Sequence, residues 1–292
     1  MASLVKIKRG ACLPAALFAG LLGAALATPA MAQAAPRIGV QLWSVKDEVK
    51  HDFEGTLTRL AALGFDGVEF AGQFGRFGHD AKALRVFLDR AGLKCAGAHV
   101  DFAALSAAKR AATTTFYARA GCKTLIIAMD RRAATGEGAA AVAKQLSTLS
   151  DKLAPLGMRI GYHNHAEEMT GADGKTPWDV IAAGTPFDVV LQQDVGWTTF
   201  AGKNPVSLIK RYPGRSVSLH FKAKHAPGVS GNNIVGQDPT DWAAVAHAAR
   251  SVGGAEWIIV EQEDYPNGMG QLESVAASMR GLQQALRPSP AR

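Results

Sequence analysis

Cysteine is scarce in this chain of 292 residues: there are three, and Cys12 lies near the N-terminus. The remaining pair, Cys95 and Cys122, is too small a set to make a disulfide scaffold. An exported chain has the means to bridge them, but the residues alone favour two separate thiols. Runs of lysine or arginine are also missing. The formal net charge of +7 is spread thinly, which gives weak support for an anionic ligand and almost none for nucleic acid. No G-x-G-x-x-G phosphate loop is present: Gly72-Gln73-Phe74-Gly75-Arg76-Phe77-Gly78 is rich in glycine but off that pattern, so it reads as a loop. No linker divides the chain.

A membrane-length apolar run is lacking as well. The uncharged stretch Ala11 to Ala27 is short for a span. It follows Lys6, Lys8 and Arg9 and precedes Ala30-Met31-Ala32, the order of basic region, apolar region and small-residue cleavage site found in secretory signal peptides. Residues 1–32 are therefore expected to be a cleaved leader, with an uncleaved anchor as the alternative, and the protein to be periplasmic or secreted, with no membrane contact after cleavage. The leader carries three positive charges and no negative one, so the mature charge falls from +7 to +4. Residues 33–292 remain, a length that suits one α/β barrel or two small domains.

What is present is a repeated alternation. Short apolar, β-branched runs occur at Ile38 to Trp43, Phe65 to Phe70, Leu93 to His99, Lys123 to Met129, Arg159 to His165, Phe187 to Asp194, Ser216 to Lys222 and Glu256 to Glu261. Amphipathic stretches separate them. After Asp80, a natural cap, Leu84, Phe87, Leu88 and Ala91 recur at helical spacing and Gly92 ends the run. Strand followed by helix implies parallel strands and right-handed crossovers. Eight such units predict a single (β/α)8 TIM barrel over 33–292.

In such a barrel the active site lies at the C-terminal ends of the strands. Those ends carry Gln41 and Trp43, Glu69, His99, Met129 and Asp130, His163 and His165, Asp194, His220 and Lys222, and Glu261 and Glu263. Buried ionisable groups are costly unless paired or bound to metal, and four consecutive strands ending this way point to a site. Side chains two apart share a strand face, so His163 and His165 should point together, with Tyr162 and Asn164 opposite.

Gly161-Tyr-His-Asn-His165, Gln193-Asp-Val-Gly-Trp197, Leu219-His-Phe-Lys222 and Val260-Glu-Gln-Glu263 resemble the strand-end motifs of the sugar phosphate isomerase/epimerase superfamily, the xylose-isomerase-like barrels. The resemblance covers nearly the whole mature chain. It implies one divalent metal ion, manganese, cobalt, zinc or magnesium, held by His163, Asp194, His220 and Glu261. Two imidazoles and two carboxylates suit a borderline ion better than calcium. The chain departs from the family where His163 stands in place of a usual glutamate, leaving Glu261 without the second metal-bound glutamate of an epimerase proton relay, and where Trp197 replaces a substrate-contacting histidine.

A metal bridging a carbonyl and its neighbouring hydroxyl stabilises an enediolate and makes the adjacent C–H removable by a base. The expected function is carbohydrate isomerisation or epimerisation by this route, with lyase or hydratase action on a keto-sugar such as a 3-keto-glycoside as one alternative. A non-catalytic sugar-binding barrel is the other. A phosphodiester enzyme resembling endonuclease IV fits worse, because that chemistry uses three metals and more histidines. Glu261, His165 and Glu69 are the candidate bases, and Lys222 is placed to stabilise an anionic oxygen. Trp43, Trp197, His99 and Gln41 are the candidate substrate contacts. Glu69 pairing with Lys222 is an alternative for both residues. Glu167 and Glu168 read as a solvated loop, and Gly228 to Asp238 as a surface loop or a cover for the site. The partner is a small carbohydrate, and homo-oligomerisation stays open.

Overall fold

Eight parallel strands close in sequence order, with β1 (Arg37–Gln41) paired to both β2 (Gly67–Phe70) and β8 (Trp257–Val260). Between them run β3 (Lys94–Val100), β4 (Thr124–Ile127), β5 (Arg159–His163), β6 (Val190–Asp194) and β7 (Ser218–Phe221). The computed structural model describes Ala2 and residues 35–287. The expected leader and its cleavage site lie outside the described residues, Ala2 excepted. Among those described, no helix is long and apolar enough to cross a membrane.

The helices are α1 (Lys46–His51), α2 (Phe53–Ala62), α3 (Ala81–Ala91), α4 (Arg110–Ala120), α5 (Gly136–Leu153), α6 (Pro177–Ala183), α7 (Val195–Phe200), α8 (Pro205–Arg211), α9 (Trp242–Ala248) and α10 (Gln271–Ala285). Local chemistry sets their ends. The Asp80 carboxylate accepts from Ala83 N at the start of α3, and Gly92, at φ +76°, supplies the left-handed residue that ends it. Each helix turns an apolar stripe, such as Leu84 and Leu88 of α3 or Val142, Leu146 and Leu153 of α5, onto the barrel, and these side chains are fully buried. Inside the barrel, Trp257, Ile259 and Ala96 form a separate apolar cluster. Gly67 leaves room for it: a Cβ there would stand 2.7 Å from the Trp257 ring and 2.4 Å from the Lys94 carbonyl oxygen.

Parallel register then aligns the strand ends. Gln41 sits beside Glu69, His163 beside Gln192, and Asp194 beside His220. The sequence left Cys95 and Cys122 as separate thiols, and here the structure corrects it. Cys95 of β3 and Cys122, two residues before β4, lie side by side, Cα atoms 5.0 Å apart, and the two are joined by a disulfide.

Candidate metal and acid-base site

The four residues expected to hold a metal converge from four successive strands. His163, Asp194, His220 and Glu261 are all buried, and one donor atom from each lies within 4.8 Å of the others. Asp194 shows how backbone structure aims a ligand. Its Oδ1 caps α7, accepting from Trp197 N at 2.7 Å, so Oδ2 is turned into the cluster, where it is buried without a hydrogen-bond partner. A buried carboxylate oxygen left unpaired is costly, and a cation among these four donors would satisfy it. Two imidazoles with two carboxylates form a donor set of the kind that borderline divalent ions take.

The imidazoles are oriented by neighbours farther from the pocket. His220 lies between two carboxylates, with Nε2 2.6 Å from Glu69 Oε2 and Nδ1 3.0 Å from Glu261 Oε2. Burial disfavours the imidazolium, but the two anions outweigh it and raise His220 to about 10. Glu69 holds Nε2, so Nδ1 is the nitrogen that faces the ligand cluster. His163 is different: burial, followed by neighbouring histidine charges, holds it well below the ordinary imidazole range. Its Nδ1 lies 3.1 Å from Gln192 Oε1, and its Nε2 faces Asp194 Oδ2 at 3.8 Å.

Gln192 is the residue that the sequence reading missed. Its Oε1 is also 2.8 Å from His99 Nε2, and its Nε2 donates to Glu69 Oε1 at 2.7 Å and Ser218 Oγ at 2.9 Å. The signal that would have found it is the period of two, because Gln192 shares a strand face with Asp194.

Three expected roles change with the geometry. Gln41, expected to touch substrate, is fully buried and donates from Nε2 to Glu69 Oε2 at 2.7 Å. Glu69, expected as a base, is likewise fully buried. Burial pushes its pKa up, but His99 and His220 hold it below the ordinary value, as an anion that positions imidazoles. Lys222, expected at the substrate, is 2% exposed. It bonds to Glu261 at 3.3 Å and to Glu263, so Glu69 and Lys222 have separate partners and do not bridge each other. Burial opposes the ammonium, but Glu261, Asp194 and Glu263 keep it charged, and it in turn holds Glu261 well below the usual carboxylate range.

His165 lies just beyond β5, yet its ring centroid is 5.1 Å from that of His163, so the two imidazoles do point together. Tyr162 and Asn164 turn away: the tyrosine hydroxyl donates to Glu168 Oε1 at 2.7 Å, and Asn164 Oδ1 accepts from Asp194 N. Glu168 is no solvated loop residue. It is buried, and its Oε2 accepts from His165 N at 2.8 Å, fixing the turn that carries the histidine. Burial, with Lys222 adding to it, lowers His165 to about 4, and its Nδ1 is buried without a partner.

A cavity of about 1040 Å³ opens from the cluster, lined at this end by His99, His163, His165, Glu261, Glu263 and Trp43. Trp197 stands behind His165, centroids 5.5 Å apart, with the ammonium of Lys224 4.3 Å from the centre of its ring. The two tryptophans therefore form no common wall. The segment from Gly228 to Asp238 adds nothing to the lining; Ile234 and Val235 are buried, and Asn233 O accepts from Gln262 Nε2.

The xylose isomerase-like TIM barrel family model matches residues 57–285. An inosose dehydratase of Lacticaseibacillus casei is 26% identical over 254 residues, covering 73% of this chain and 83% of that protein. Among solved structures, a sugar phosphate isomerase/epimerase from Parabacteroides distasonis superposes with a TM-score of 0.70 at 20% identity, covering 89% of this chain and 98% of the other. The IOLI protein, solved with a zinc atom bound, superposes at 0.63 with 13% identity, over 86% and 98% of the two chains. With its closed barrel, its strand-end residues in order and this match, the chain belongs to the xylose isomerase-like TIM barrel family.

Proposed function

We propose that the chain is a divalent-metal-dependent lyase that removes water, or another β-substituent, from a keto-sugar. His163, Asp194, His220 and Glu261 would hold the ion, which when bound supplies Lewis-acid polarisation of a carbonyl and its neighbouring hydroxyl. The observation that carries the reading is His165, whose ring lines the cavity beside the ligands and whose Nδ1 is buried without a hydrogen-bond partner. Its ring takes the proton from the carbon next to the carbonyl. The imidazolium then returns that proton to the hydroxyl leaving from the next carbon. One C–H and one C–O bond break, a C=C bond forms and water departs. His99, held by Gln192, contacts the substrate's hydroxyls, and Lys222 keeps Glu261 ionised.

One residue that both takes and returns the proton suits elimination, whereas inversion at carbon needs a second group on the opposite face of the sugar. The relative named inosose dehydratase supports the same reading. Isomerisation or epimerisation is the second reading, favoured by Glu261, which lines the cavity as a carboxylate. For location we propose an exported protein, periplasmic or secreted, on the strength of the N-terminal residue pattern and the Cys95–Cys122 bridge, a bond of oxidising compartments.

The test is a panel of free, phosphorylated and 3-keto sugars incubated with metal-loaded protein in deuterated water. Loss of water or aglycone supports the lyase, while solvent deuterium at a sugar carbon with an unchanged formula supports the isomerase. His165→Ala is expected to lower turnover by about 10²–10⁴-fold with metal content unchanged. Purified protein that holds no transition metal would remove the basis of both readings.

A further inference from the structure

The cavity is much larger than the ligand cluster needs, and its two ends differ in chemistry. At about 1040 Å³ it stands at the upper end of the range, roughly 300–1,000 Å³, of pockets that enclose drug-sized molecules. A single sugar ring leaves most of it unfilled. The buried ionisable groups come from the β5–β8 end together with Glu69 and the half-buried His99, whereas His79 and Asp101 on the other side are exposed. The opposite wall comes from the segments after β2 and β3 and from α4, and it is apolar: Phe74, Phe116 and Tyr117 pack edge to face, Phe74 and Phe116 with centroids 4.9 Å apart, and Val100 and Ala112 extend the surface.

Two large apolar side chains on the cavity lining are also open to solvent, Trp43 at 45% and Met129 at 56% exposure. Large apolar side chains exposed in a cavity lining are typical of ligand sites. A second sugar ring would need several hydrogen-bond partners on this wall, and two of the polar groups there are already engaged within the chain. Asp101 Oδ1 accepts from Ala104 N at 2.7 Å, and Thr113 Oγ1 donates to Ala104 O at 2.8 Å. His79 stands at the exposed rim.

From this division we infer that the apolar part of the lining, with Phe74, Phe116 and Met129, is a subsite for a flat apolar aglycone, so that the substrate is an aryl glycoside whose sugar lies at the cluster. The inference rests on the reading that the cluster handles a sugar, and it adds what the rest of the substrate is.

The test measures binding, by calorimetry on the metal-loaded full chain, of 4-nitrophenyl and methyl glycosides of glucose, galactose and mannose, with cellobiose alongside. The expected result is an aryl-over-methyl preference of roughly tenfold or more, the size that burial of one aromatic ring supports. Phe116→Ser and Met129→Gln should each reduce that preference several-fold and leave methyl glycoside binding within about twofold. Met129 is exposed, so its variant keeps the test sound if Phe116→Ser fails to fold. Equal affinity for aryl and methyl glycosides, cellobiose binding as tightly as the aryl compounds, a preference that survives both variants, or no binding by any probe would each overturn the subsite. Loss of metal binding with the aryl preference intact would instead sink the metal-dependent reading and leave the subsite standing.

Discussion

Gln192 uses every hydrogen-bonding position of its amide. Its nitrogen donates to Glu69 and Ser218, and its oxygen faces His99 and His163. A carbonyl oxygen only accepts, so each histidine must present an N–H to it. That fixes His163 with its proton on Nδ1 and its lone pair on Nε2, toward Asp194. Groups that orient metal-binding imidazoles in this way typically contribute 10- to 100-fold to affinity. Gln192→Leu, similar in volume but unable to accept, is expected to weaken binding of zinc or manganese by about that factor in a chelator competition, with the circular dichroism spectrum unchanged. A change below threefold would mean that another group sets the tautomer.

At the scale of elements, the Cys95–Cys122 bond ties the start of β3 to the entry of β4, closing a separation of 27 residues that spans all of α4. In the chain-entropy account a loop of this length is worth about 3.5 kcal/mol. The Cys95→Ala/Cys122→Ala double variant should therefore melt several degrees lower than the parent, and reductant should lower the parent's melting point but not the variant's. Equal melting points with and without reductant would show that the bond is not formed in solution. The short α7 matters in a different way. Its N-terminal cap is Asp194, so the same carboxylate starts a helix with Oδ1 and faces the metal-ligand cluster with Oδ2.

For the whole molecule, the four proposed ligands come from β5 to β8, so a bound ion would clamp half of the barrel. A ligand that binds only the folded chain stabilises it by about 2.7 kcal/mol at a hundredfold excess over Kd. For a domain of this size that amounts to a melting point about 5–10 °C higher. Added zinc, manganese or cobalt should give this shift, EDTA should reverse it, and Asp194→Asn, whose amide oxygen still caps α7, should fold without it. A shift that persists in Asp194→Asn would place the ion elsewhere.

How much of this was legible in the chain follows from the range of each interaction. The alternation of β-branched runs with amphipathic stretches, the cap at Asp80 and the stop at Gly92 are local, so the eight strands and the order of residues at their ends could be read directly. Pairings across the barrel could not. Glu69 meets His220 across 151 residues and Gln192 across 123, and which carboxylate takes which cation depends on barrel closure, strand register and rotamer. For that reason Glu69 was open to pairing with Lys222 on paper and bonds to His220 in the fold. Glu168 is equally telling, since its burial comes from contact with Tyr162 and the His165 turn and leaves no periodic trace. The sequence by itself determined a (β/α)8 barrel and the residues that meet at its rim, because both are written in local pattern. Only the tertiary structure decided which of them face the cavity, which hold others in place, and that Cys95 meets Cys122, because those are matters of distance between segments that the chain keeps far apart.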